Sequence, residues 1–82
     1  MKPTERLRLV LEKMVVPYYD NIDRVSVRQF GALGERFYDV SYFVSKGVKL
    51  DRSIMREVIK KTTSLFNMLG LEKGSDVSVS FF

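Results

Sequence analysis

The 82-residue chain has no histidine, no cysteine and no tryptophan. Without Cys there is no disulfide staple. Without Cys or His there is no zinc finger, no Ser-His or Cys-His pair and no imidazole general base. Most familiar catalytic devices are therefore excluded, and the chain reads as a non-enzyme. Long apolar runs are also missing, since nothing approaches the ~20 residues that a membrane-spanning helix needs. The start, Met1-Lys2-Pro3-Thr4-Glu5-Arg6, lacks the apolar core and small-residue cleavage site of a signal peptide, so a cytoplasmic location and no membrane partner are expected. At this length there is room for a single small domain over 1–82, burying roughly 60–65% of the surface its unfolded chain would expose.

The charge that is present is unevenly placed. There are 14 Lys plus Arg against 10 Asp plus Glu, a net of +4. Lys46, Lys49, Arg52, Arg56, Lys60 and Lys61, opposed only by Asp51 and Glu57, carry that whole excess, and elsewhere the charges cancel. A basic field confined to one segment favours an anionic partner, whereas the same residues on a solvated helix face serve solubility.

Local structure follows from periodicity. Leu7, Val10, Leu11, Met14 and Val15 recur at three- and four-residue steps, which predicts a helix over 4–16 that ends before Pro17. Leu9 and Val16 fall on its opposite side as a second apolar patch. The runs 22–30 and 36–45 alternate as strands around the loop Gly31-Ala32-Leu33-Gly34-Glu35, a hairpin signal. Asp51 is placed to cap a second helix over 52–69, in which Ile54, Met55, Val58, Ile59, Thr62, Leu65, Phe66 and Leu69 share one uncharged arc of about 140°. Gly70 and Leu71 suit a Schellman ending, and 76–82 alternates as a last strand. The expected fold is α+β: an α-β-β-α-β two-layer sandwich, with a three-stranded sheet and two helices on one face. The third strand can lie beside the first, antiparallel, or beside the second, parallel.

Two helices cover only one face of such a sheet. If Val25, Val27, Tyr38, Val40, Tyr42, Val44, Val77, Val79 and Phe81 face the helices, the other face carries Arg24, Ser26, Arg28, Phe30, Phe37, Asp39, Ser41, Phe43, Ser78, Ser80 and Phe82. Phe rings can stack unpaired bases while Arg24 and Arg28 reach phosphates. The same Phe30, Phe37, Phe43 and Phe82 can instead be buried in a symmetric homodimer, or stand as tolerated exposed aromatics. Separately, Arg52, Arg56 and Lys60 recur every fourth residue as a ridge roughly 12 Å long, with Lys49 before it, spaced to follow a phosphate backbone.

Gly31-Ala32-Leu33-Gly34 has the G-x-x-G spacing with which KH domains clamp a nucleic-acid backbone, but its flanks are strand-like and neither middle residue is basic, which favours a hairpin turn. The α-β-β-α-β order is similar to small KH-like ribosome-associated domains and to the cytoplasmic dimerisation domains of cation-efflux transporters, the latter with metal ligands that include the His this chain lacks. Asp20 and Asp23 are too few for a hard-cation site, so neither metal nor cofactor is expected. The leading expectation is a non-catalytic module meeting RNA or DNA through Lys49, Arg52, Arg56, Lys60, Arg24 and Arg28, with Phe30, Phe37, Phe43 and Phe82 as a stacking or dimer face. The alternative is a self-associating assembly protein, cellular or viral.

Overall fold

A computed structural model of the chain describes residues 3–31, 36–69 and 75–82. The first apolar stripe winds into α1, Pro3–Met14, which ends two residues earlier than its periodicity predicts. Val15 still donates to the Leu11 carbonyl at 2.9 Å, but Pro17 turns the chain into a short 3-10 segment, Val16–Tyr18. That turn swings Val16 inward to pack on the core, so it does not join Leu9 in an outer patch.

Strand β1, Ile22–Phe30, pairs antiparallel with β2, Arg36–Val44. β1 gives way to Gly31 at φ 133°, a conformation L side chains rarely adopt. Ala32 to Glu35, and with them the second glycine of the G-x-x-G, lie outside the described residues. Helix α2, Arg52–Met68, then returns the chain to β3, Ser75–Phe81, which lies parallel beside β2, so the sheet order is β1-β2-β3. The proposed Schellman residues Gly70 and Leu71 are also outside the described residues. Asp51 holds the cap position of α2 through its backbone alone: its carbonyl accepts from Met55 N–H at 3.0 Å, and its carboxylate makes no cap bond.

Both helices lie on one face of the sheet. Leu7, Leu11 and Val15 of the first helical region and Val58 and Phe66 of α2 meet Val25, Val27, Tyr38, Val40 and Tyr42 in a single buried cluster. The arc of α2 is wider than what the sheet and α1 cover. Ile59 overhangs the outer side of β3, where no further strand lies among the described residues, and Leu69 falls past the helix end, so both are exposed rather than buried as the arc predicts. Val77, Val79 and Phe81 are only half-buried because β3 is an edge strand.

One polar contact lies inside this core. Thr62 Oγ1 donates to the Val58 carbonyl at 2.7 Å, which uses its only proton. The 2.6 Å bond between the Tyr42 hydroxyl and Thr62 Oγ1 is therefore donated by Tyr42. Burial pushes the Tyr42 phenol up to about 12.

Two outcomes follow from this packing. Phe66→Ala, at a fully buried ring 5.5 Å from that of Tyr38, is expected to cost about 3–5 kcal/mol in denaturant unfolding, against less than about 0.5 for the exposed Lys60→Ala. At the polar pair, Thr62→Val strands a buried Tyr42 donor and is expected to cost about 1–3 kcal/mol, more than Tyr42→Phe, which leaves Thr62 still bonded to Val58. Below about pH 10 the phenol is protonated folded and unfolded, but above it the unfolded chain loses the proton first. Stability is thus expected to fall as pH rises from about 10 through about 12, and Tyr42→Phe to flatten that limb. Equal costs for Thr62→Val and Tyr42→Phe would show that the donor assignment is wrong.

Candidate nucleic-acid interface

The open face is organised by a bulge. Ile22 pairs with Val44 but Arg24 already pairs with Phe43, so Asp23 is the extra residue in β1. Its carboxylate accepts from Ser45 Oγ at 2.7 Å, which fastens the bulge to the end of β2. The extra residue shifts the side-chain alternation by one. Ile22 faces the core, yet Arg24 faces outward opposite Phe43.

From there the ladder sets the outer face in rows. Arg24 and Phe43 form one end, with Phe82 beyond them, followed by Ser26, Ser41 and Ser80, then Arg28, Asp39 and Ser78, then Phe30 and Phe37. At the first end the Arg24 guanidinium lies 4.1 Å from the Phe43 ring centroid, and the Phe43 and Phe82 rings stack at 5.9 Å. At the far end Phe30 and Phe37 stack at 6.4 Å. The two aromatic pairs are separated by about 20 Å of strand. Phe30 and Phe82 are 53% and 67% exposed, whereas Tyr38 and Tyr42 on the covered face are buried. On β1 and β2 the tyrosines are inside and the phenylalanines outside.

This face carries both signs of charge, Arg24 and Arg28 together with Asp39. Arg24 and Arg28 are exposed, and although Arg28 stands opposite Asp39 in the register they form no ion pair. Among the described residues the one salt bridge is Arg8 with Glu12 at 2.9 Å on α1.

The basic ridge belongs to the other layer. Arg52, Arg56 and Lys60 are exposed on α2, which covers the face opposite the Phe/Arg rows, and they diverge. Arg52 and Arg56 line an open groove with Met55, Ile59, Val79 and Phe81, while Lys60 borders a second groove with Met14, Tyr18, Lys61, Ser64 and Leu65. Lys49 lies between the layers, in a groove at the end of the sheet shared with Lys46, Val48, Phe81 and Phe82. The ten candidate residues are thus three groups: Arg24, Arg28 and the four Phe on the sheet, Lys49 at its end, and Arg52, Arg56 and Lys60 on the helix.

One cluster escaped the sequence reading. Tyr18 and Tyr19, between the first helix and β1, lie under the Lys61 ammonium at 5.0 and 5.1 Å, and the Tyr19 hydroxyl donates to Glu57 at 2.9 Å. Desolvation, with the Glu57 bond, raises the Tyr19 phenol above its ordinary value, while Lys61 opposes it. Adjacent tyrosines straight after Pro17 were the available signal. They tie the end of α1 to α2, a structural role. Among the described residues no three His, Cys, Asp or Glu gather as metal ligands, and no helix is long and apolar enough to cross a membrane.

No family model matches the chain, and neither a curated protein nor a solved structure matches it.

Proposed function

We propose that this chain is a non-catalytic module that binds single-stranded RNA or DNA on the open face of its sheet. The observation that carries the reading is the end built from Arg24, Phe43 and Phe82, where a cation lies 4.1 Å from one ring and a 67%-exposed ring stacks beside it. A base can stack on the Phe82 ring or on the plane of the Arg24 guanidinium while Arg28 reaches a phosphate. The two rows of Ser, Arg and Asp between the aromatic pairs offer hydroxyl and carboxylate partners for base edges. Lys46 and Lys49, in the groove that Phe82 also lines, lie where a strand leaving that end would meet further positive charge. The helix cations add to the long-range field that draws a polyanion in.

The competing reading is a homodimer through the same face. Nine residues at ~3.3 Å and three strands ~4.8 Å apart make a face on the order of 30 by 14 Å, about half the ~800 Å² that each partner gives to a stable interface. A ligand that needs only a few stacking and charge contacts fits that area better.

Titration of a labelled ten-nucleotide single strand at several salt concentrations tests it. Phe43→Ala and Phe82→Ala are each expected to weaken binding by about 1–3 kcal/mol per stacked base lost. If Arg24 and Arg28 each neutralise one phosphate, affinity is expected to fall with salt at a log–log slope of roughly −1.4. Absence of binding at low salt, together with a dimer that the Phe changes dissociate, would replace this function with self-assembly.

A further inference from the structure

We infer that the outer edge of β3 is a second binding site, which takes up an extended acidic segment of another protein as a fourth strand. Residues of a strand turn their backbone N–H and C=O to alternate sides. Phe82 N–H donates to the Tyr42 carbonyl at 2.9 Å, and the Phe82 carbonyl accepts from Val44 N–H at 2.7 Å, so Phe82 and its even-numbered neighbours Ser80 and Ser78 face β2. Val77, Val79 and Phe81 therefore turn their backbone groups outward, where no described strand pairs with them.

The two edges of this sheet differ. β1 has a bulge at Asp23, and Arg24 and Arg28 along its length, both ordinary devices that discourage strand addition. From Val77 to Phe81, β3 has neither charge, proline nor bulge, and its register with β2 is unbroken. From Val77 onward it is the less guarded of the two edges.

What lies over that edge identifies the occupant. The groove beside it has an apolar floor of Met55, Ile59, Val79 and Phe81, with Arg52 and Arg56 on its rim. It meets, through the shared Met55 and Phe81, the groove holding Lys46 and Lys49, and among the described residues no Asp or Glu lines either one. Side chains of an added strand that point to the helix layer would meet Ile59 and the two guanidinium groups, which calls for apolar and acidic residues at alternate positions. Nucleic acid suits this edge poorly, because each outward N–H is accompanied by a carbonyl that repels phosphate and that only a donor satisfies. A second copy pairing β3 with β3 would bring Arg52 and Arg56 of two helices together, like charge against like. An acidic peptide backbone satisfies both the donors and the acceptors. This site is on the strand edge, not on the outer sheet face, and the groove of Lys46 and Lys49 borders both; pairing along β3 stands or falls independently of binding on that face.

The probe is a synthetic seven-residue peptide alternating Glu with Val, compared with the same peptide carrying Lys for Glu. Binding of the Glu peptide is expected to slow amide hydrogen exchange at Val77, Val79 and Phe81. Its affinity is expected to fall about tenfold or more in Arg52→Glu/Arg56→Glu, whose exposed positions leave the core intact, and in Val79→Pro, which removes an outward donor. The Lys peptide is expected not to bind. Three results would overturn the proposal: no slowing at these amides with millimolar Glu peptide, equal binding of the two peptides, or slowing that depends on the protein's own concentration without peptide, which would mark self-pairing.

Discussion

A three-stranded sheet with two helices over it can bury one side only, and every residue of the central strand must choose a side. On β2 the division is complete: Tyr38, Val40 and Tyr42 are buried, while Phe37, Asp39, Ser41 and Phe43 point away from the helices. A slip of one residue in the β1–β2 register would drive Asp39 and Ser41 into the core, where no partner awaits them, so the apolar alternation holds the register firmly. The Asp23 bulge is the one place where β1 departs from it, and the departure is useful twice. It lets Ile22 close the core at one end and turns Arg24 outward onto Phe43. The site on the outer face is thus a consequence of how the inner face is sealed.

Helix α2 is set on this sheet by the bond that Tyr42 donates to Thr62 as well as by Val58 and Phe66. A buried hydroxyl with one available acceptor tolerates little sliding, so the polar pair adds a positional constraint that apolar packing lacks. The constraint fixes which side of α2 overhangs β3, and so where Arg52, Arg56 and Ile59 stand relative to the free edge.

The elements and their inward faces were legible because they depend on period. Alternation over 24–28 and recurrence of Val58, Thr62 and Phe66 are local patterns that the packing then respects. What was not legible depends on neighbours distant in sequence. The parallel placement of β3 beside β2 leaves no local mark, and with it went the exposure of Ile59, which a fourth strand would have covered. The ridge of Arg52, Arg56 and Lys60 was readable as spacing, and its separation from Arg24 and Arg28 by the thickness of the molecule follows from the expected layer order. Asp51 shows a different limit. Its identity marks the helix start correctly, but whether its carboxylate turns back to cap depends on a rotamer that the sequence leaves free.

The placement of the aromatic residues is harder to explain by stability than any other feature. Fully burying a Phe side chain contributes about 1.5–3 kcal/mol, and a short chain has few such residues with which to build a core. Yet of six Phe, only Phe66 is fully buried; Phe30, Phe37, Phe43 and Phe82 are on the outer face, and Tyr38 and Tyr42 fill the interior in their stead. Each Tyr brings a hydroxyl that must find a partner or lose its hydration, as Tyr42 does through Thr62. Exchanging the two residue types would strengthen the core and wet the outside, so stability alone selects the opposite arrangement. The outer Phe rings are consistent with a surface that spends time in contact with something flat or apolar, and the two guanidinium groups among them require that this contact tolerate positive charge.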